Sequence, residues 1–542
     1  MTSDKGQMTL DKGQRAIVIG AGIGGLTAGA LLAKRGYQVR VFDSSIVPGG
    51  CASTFRRRGF TFDVGATQVA GLEPGGIHHR IFSELGVEVP EARYCDPACA
   101  VFLPGETEPI NVWRDPDKWR AERQKQFPGS DSFWQLLSTL FQASWRFQSR
   151  DPVLPPRNLW DVTELIKAIR PDTLVTVPFT LMTVGDALRL CGVGGDKRLK
   201  TFLDLQLKLY SQVGADETAL LYAATALGVS QAPLGLFHLQ GSMQVLSDRL
   251  VEALEKHGGE LLMQHTVKAI HVGNDISVTV LNQKTGEIFL DSADHIVANV
   301  TVQNLVKMVD GAQKPGFLGR VFAGKEPQDL ENRFLNRNRF LSYRRRVEKL
   351  VSPSGAFVVY LGVRQDAIPD NCPPHLQFLY DWDGPVGENN SLFVSVSHPG
   401  DGRATEEMAT ITASSFTDVA LWTDCDDYDE LKERYTAEAV RRLGMYFDLS
   451  PENIVHCEAG TPRTFARYTG RDRGIVGGVG QRISTFGPFG FATRTPIPRL
   501  WLVGDSTHPG EGTAGVSYSA LTAVRQIENE GQLSRLSHCY LN

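Results

Sequence analysis

A chain of 542 residues, 42% hydrophobic and 22% charged, is ordinary for a globular protein with room for two or three domains and large buried cores. Its net charge of −5 gives no whole-molecule field for nucleic acid, so any attraction to an acidic surface must come from a local patch. The eight cysteines are scattered without CxxC spacing; Cys95 and Cys99 have no second pair to complete a zinc site, so no metal is expected and the thiols read as reduced ones in a reducing compartment.

The N-terminus, 1–14, is polar and lacks the apolar core of a signal peptide. Residues 16–19 form a short apolar, β-branched run, which predicts a buried parallel strand. Gly20-Ala21-Gly22-Ile23-Gly24-Gly25 follows as G-x-G-x-x-G, and 26–35 has helical spacing that stops at Gly36. Residues 39–42 predict a second strand closed by Asp43. That order is a dinucleotide-binding unit. Gly20 permits the tight turn, Gly22 leaves the pyrophosphate unobstructed, Gly25 lets helix approach strand, and Asp43 stands where a carboxylate accepts hydrogen bonds from a ribose. The helix N-terminus beside Gly24 receives the phosphates.

Two further segments follow, Pro48-Gly49-Gly50-Cys51-Ala52-Ser53-Thr54 and Phe60-Thr61-Phe62-Asp63-Val64-Gly65. Between 133 and 222 lie the aromatics Phe133, Trp134, Phe141, Trp145, Phe147, Phe179, Tyr210 and Tyr222, which suit either an apolar tunnel or an ordinary core. Asp204 and Lys208 stand at i, i+4 on an apolar stretch, as a structural ion pair would. The stretch from Thr218 to Ser247 has no charged side chain, but Gly228, Pro233, Gly235 and Gly241 break it. A span needs ~20 mainly apolar residues, so buried strands and a turn are predicted instead. A helix is expected from Gln240 to Lys256, then strands at 261–262 and 266–270. Residues 333–350 interleave seven basic groups with Phe334, Leu335, Phe340, Leu341 and Tyr343; this is either an anionic-membrane contact or a solvated face paired with Glu331 and Glu348. Thr173 to Leu190, apolar but broken by Pro178 and Gly185, is a second membrane candidate. Finally, 500–503 predicts a buried strand ending at Gly504-Asp505, followed by Ser506-Thr507-His508-Pro509-Gly510-Glu511-Gly512-Thr513-Ala514-Gly515-Val516 and a helix over 518–527.

The segments Gly49-Gly50-Cys51-Ala52, Phe62-Asp63-Val64-Gly65 and Thr507-His508-Pro509-Gly510 resemble the carotenoid desaturase, carotenoid isomerase and retinol saturase flavoproteins. Within that group the run Gly65 to His79 looks most like the cyanobacterial C-3′,4′ desaturases, which act on a hydroxylated acyclic or monocyclic carotenoid on the path to myxol glycosides. The resemblance implies an α/β fold: a discontinuous Rossmann-type FAD-binding domain built from 14–90, 236–310 and 455–530. An inserted α+β substrate and membrane-contacting domain would come from 91–235 and 311–454. It implies FAD as cofactor, held by Gly20, Gly22, Gly24, Gly25, Asp43, Gly49, Gly50 and Thr54. Val267 would meet the adenine, Gly504 and Asp505 the ribityl chain, and the Gly515 and Val516 amides the flavin edge. The related second motif usually reads GG-R-x-x-S/T, with an Arg that approaches the pyrophosphate; Cys51 stands in its place, as a small buried filler or a redox thiol. The segment Phe60–Gly65 would lie near the flavin, and His508 is either a local hydrogen-bond partner or an acid or base.

The implied activity is removal of two hydrogens from a C–C bond beside a polyene, with hydride passing to flavin N5 and oxygen or a membrane quinone as final acceptor. No residue stands out as the catalytic base. A cis–trans isomerase with the same fold is the alternative, and a non-catalytic prenyl or lipid-binding chaperone is a second one. A cytoplasmic protein peripherally attached to a membrane is expected.

Overall fold

A computed structural model describes residues 13–273, 275–311 and 330–540, with the side chains of 310–311, 330–337 and 532–540 left out. Five strands form a fully parallel sheet: β1 (Arg15–Ile19), β2 (Gln38–Asp43), β3 (Glu260–Met263), β4 (His295–Ala298) and β5 (Leu500–Leu502), in the order β3-β2-β1-β4-β5. The order reverses between β1 and β4, and in open parallel sheets the crevice at that switch point is where ligands bind.

Strand alternation explains the layers. Ala16 and Val18 of β1 face a core shared with helices, while Ile17 and Ile19 face a second core on the other side of the sheet. The first core is built around α1 (Ile23–Lys34), buried from Ile23 to Ala33, as expected for a helix that is apolar all round. It packs against α2 (Gln244–Lys256) and α3 (Thr513–Tyr540). The opposite face carries an antiparallel three-stranded sheet, His265–Val272, Ile276–Asn282 and Ile288–Ala293, and the helix Val302–Gly311.

A seven-stranded sheet forms the other half, in the order Ile454–Gly460, Gly355–Arg364, Met408–Thr417, Ser391–Val396, His375–Leu379, Cys99–Phe102, Ile110–Val112. Its neighbours are antiparallel except His375–Leu379 beside Cys99–Phe102. The boundary expected at 455 therefore falls inside a strand that pairs with Gly355–Arg364 and goes with this sheet.

Several local expectations change. The charge-free stretch after Thr218 forms a helix, Leu220–Gly228, before its strand Leu236–Leu239; short apolar runs do not distinguish the two states by periodicity. Asp204 and Lys208 do not pair with each other. Asp204 meets Lys200 at 2.9 Å and accepts from the Ala215 amide at 2.6 Å, while Lys208 donates to Gln212 O and Ser354 Oγ, both at 3.0 Å. Phe133 and Trp134 are core, packed with Trp119, Phe127 and Phe202. The basic segment lies in the helix Leu330–Glu348, where Phe340 and Val347 are buried and Tyr343 meets Phe491 edge-on at 5.4 Å, whereas Leu341 is exposed. Arg346 covers the Phe491 ring at 4.1 Å, and Arg344 pairs with Glu348 at 2.8 Å. The side chains of Arg333, Phe334, Leu335 and Arg337 lie outside the described residues. The seven described cysteines carry no disulfide.

Candidate functional site

The two glycine-rich segments meet around one half-buried side chain. Asn299, the residue after β4, lies beneath the first glycine turn and beside Gly504. A Cβ at Gly20 would stand 2.6 Å from Asn299 O, and one at Gly22 would stand 2.8 Å from its Nδ2. At Gly24 and Gly504 the distance to Oδ1 would be 2.8 and 2.9 Å, closer than real Cβ contacts allow. Gly20 and Gly504 also hold positive φ, 96° and 105°, which L side chains rarely adopt. Gly22 pairs with Gly49 in a short bridge, which brings the second glycine motif onto the first.

This junction walls a cavity of about 580 Å³. It runs from Asp43, His265 and Val267, past Gly20, Gly22 and Gly24 and then Gly49, Gly50 and Cys51, to Gly504, Asp505 and Val516. It is also lined by Leu209, from the helix Lys197–Ser211, and by Ala356, Val358 and Phe416, so an apolar part of the wall is borrowed largely from the seven-stranded sheet. Ten of the thirteen sequence-predicted residues line it: Gly20, Gly22, Gly24, Asp43, Gly49, Gly50, Val267, Gly504, Asp505 and Val516.

The other three serve packing. A Cβ on Gly25 would collide with Gly20 O, and one on Gly515 would stand 2.6 Å from Gly510 O. Thr54 donates to Asp63 Oδ1 at 3.1 Å and accepts from the Gln244 amide at 3.2 Å. The segment Phe60–Gly65 divides likewise: Gly65 lines the cavity, whereas Asp63 is buried in an ion network. There Arg403 meets Asp63 at 2.9 Å and Asp401 at 3.1 Å, and His238 Nε2 lies 3.0 Å from Asp401.

Asp43 uses its carboxylate locally. Oδ2 accepts from the Ala21 amide at 2.6 Å and Oδ1 from the Ser45 amide at 2.7 Å, so it also pins the glycine turn. His508 is buried with neither ring nitrogen partnered among the described residues, which departs from the local hydrogen-bond role; burial lowers its pKa to about 4, and its ring lies 5.7 Å from Phe486. Burial raises the Cys51 thiol.

Four cavity residues escaped sequence reasoning: Asn299, Arg471, Gln212 and Glu511. Arg471 donates from Nη2 to Asp505 Oδ2 at 2.7 Å and to Gly477 O, and from Nε to Ile475 O at 2.6 Å. Glu511 accepts through Oε2 from Gln212 Nε2 at 3.0 Å, while its Oε1 is buried without a partner among the described residues. Burial, reinforced by Asp505, pushes Glu511 up to about 8, against the pull of Gln212, Arg471 and the Gly478 amide. A lone acid inside a glycine-rich turn, and an amide residue directly after a buried strand, were the available signals.

The cavity fits an extended dinucleotide. It offers a helix N-terminus at Gly22–Gly24 for phosphates, acids near both ends for hydroxyls, and an apolar part of the wall for a flat ring system. Residues 18–85 match the family described as an NAD(P)-binding Rossmann-like domain. Over 94% of this chain and 79% of the other, the sequence is 27% identical to the chloroplastic prolycopene isomerase of Daucus carota. It is 24% identical to the neurosporene-forming phytoene desaturase of Rhodobacter capsulatus, over 95% of this chain and 94% of that one. In fold it is similar to the cyclohexylamine oxidase of Brevibacterium oxydans, with a TM-score of 0.58 at 15% identity over 95% of this chain and 99% of the other. Relatives over nearly the chain's full length thus include carotenoid isomerases and desaturases.

Proposed function

We propose, starting from this kinship with carotenoid isomerases and desaturases, that the chain is an FAD-dependent enzyme acting on a carotenoid. The observation that carries the reading is the single cavity shared by Gly22 and Asp505, continued by an apolar wall. In this reading 14–90, 236–310 and 461–530 hold the cofactor, and the intervening segments hold the polyene. Gly20, Gly22, Gly24, Gly49 and Gly50 admit the diphosphate. Asp43 faces the adenosine ribose, Val267 the adenine, Gly504 and Asp505 the ribityl chain, and Val516 the flavin edge. FAD bound there supplies a two-electron acceptor for hydride at N5. The protein aligns the polyene and excludes water.

The reaction we favour removes two hydrogens beside a polyene, at C-3′,4′ of a hydroxylated acyclic or monocyclic carotenoid on the path to myxoxanthophyll. Oxygen or a quinone would be the final acceptor. The similarity to prolycopene isomerases supports a second reading, cis–trans isomerisation without net redox change. Expression in a carotenoid-producing bacterium separates them. A desaturase product is two hydrogens lighter than its substrate and absorbs further to the red, whereas an isomerase product keeps its mass. Unchanged pigments with every acyclic, hydroxylated and cis precursor would sink both.

Peripheral attachment to a membrane belongs to the same reading, at a different surface from the basic helix. The segment 159–181 exposes Leu159, Ile166, Leu174, Val177 and Leu181, with Lys167 and Arg170 among them. Leu181 also borders an open pocket with Ile483 and Phe489, which the Arg482–Glu217 ion pair lines as well, and the nearby Phe486 contacts both Tyr222 and His508.

A further inference from the structure

We infer that Arg471 is the cation that neutralises the cofactor's diphosphate, doing from the loop before β5 what no basic side chain does at position 51. This rests on the reading that the cavity holds FAD.

Three cations line the cavity: Lys268, Lys307 and Arg471. Lys268 is exposed, and Lys307 is 65% exposed and paired with Asp472 at 2.5 Å. Arg471 is different: its side chain is 16% exposed, beside Asp505 at 14%. Nε and Nη2 are fixed on Ile475 O, Gly477 O and Asp505, so the guanidinium plane is set before any ligand arrives. Nη1 has no acceptor among the described residues. A fork held on one side and open on the other suits an oxyanion, which guanidinium binds in a bidentate or bridging manner.

The position fits a diphosphate. Cys51 lies within electrostatic reach of both Arg471 and Asp505. The neighbouring Gly50 packs on Gly22, the glycine at the α1 N-cap. Arg471 therefore stands across the cavity wall from the positive end of α1. That helix end carries about half a charge, less than a diphosphate requires, so a further cation is needed in a buried site. With Asp505 as its counter-ion in the unliganded protein, Arg471 is not left as an uncompensated buried charge.

The test measures flavin binding rather than turnover, by fluorescence titration of the full-length protein freed of flavin, with FAD and with riboflavin, which has no phosphate. For Arg471→Met we expect FAD affinity to fall at least tenfold and riboflavin affinity to change less than twofold. Adding Cys51→Arg to that variant should restore most of the FAD affinity by returning a cation from the opposite wall. If Arg471→Met fails to fold by thermal melting, Arg471→Lys carries the same test with a smaller loss. A folded variant that keeps wild-type FAD affinity, or loses FAD and riboflavin equally, overturns the inference while leaving the cofactor reading intact. A wild-type protein that binds neither flavin overturns both.

Discussion

Glu511 sits where a carboxyl group is hard to ionise. Its folded-state pKa is raised to about 8, above the usual carboxylate value, so between those two values the folded chain keeps a proton that the unfolded chain releases. Stability contributed by this group is therefore greatest at low pH and declines as pH rises toward 8, flattening beyond it. The groups facing it are Asp505, Arg471, Gln212, the Gly478 amide, Lys208 and Tyr222. In Glu511→Gln the decline should disappear. Urea denaturation of the flavin-free protein at pH 5.5 and 8.0 should show the variant gaining on wild type at the higher pH, by about 3 kcal/mol. Equal gaps at the two pH values would mean that Glu511 ionises normally. Arg403 presents the opposite case, a charge that others depend on. Its side chain is 4% exposed between Asp63 and Asp401, and Arg403→Met removes the cation from Asp63 and leaves Asp401 with only His238 beside it. A loss of about 3–5 kcal/mol in denaturation midpoint analysis is expected.

Among elements, the turn from β1 into α1 is the most constrained. Gly25→Ala places a methyl group against Gly20 O, a backbone atom that cannot swing aside, with the Asn299 side chain on its other side. It should cost about 1–3 kcal/mol or more, read as a lower melting temperature together with reduced flavin content. That turn was readable in the sequence because each glycine serves a local steric need. β2 and β5 were readable for a similar reason, as short apolar runs ending in a polar or glycine residue. What the local pattern could not reveal was long-range pairing. Arg471 is identified as a cavity residue only by Asp505, 34 positions later. Asp63 was expected near the flavin but is held by Arg403, 340 positions away. The helix Leu220–Gly228 was missed because its Ala- and Leu-rich run has no polar face to mark a helical period.

For the molecule as a whole, the apolar segment 159–181 should govern attachment to lipid. Replacing Leu159, Ile166, Val177 and Leu181 together with serine leaves the core untouched, because all four are exposed. Co-sedimentation with vesicles containing anionic lipid should drop several-fold while flavin content stays the same, each lost contact being worth about 25 cal/mol per Å² of buried apolar area. Undiminished sedimentation would move the attachment elsewhere on the surface.

The meeting of Asn299 with glycines from both termini also has a consequence for biosynthesis. β5 is the outer strand of the cofactor sheet and is translated long after its neighbour β4. Until it emerges from the ribosome, β4 is an unpaired edge and the crevice lacks one side. A nascent chain can therefore assemble most of its cores yet have no complete place to hold the prosthetic group, and ribosome-stalled chains ending before Leu500 should accumulate without colour.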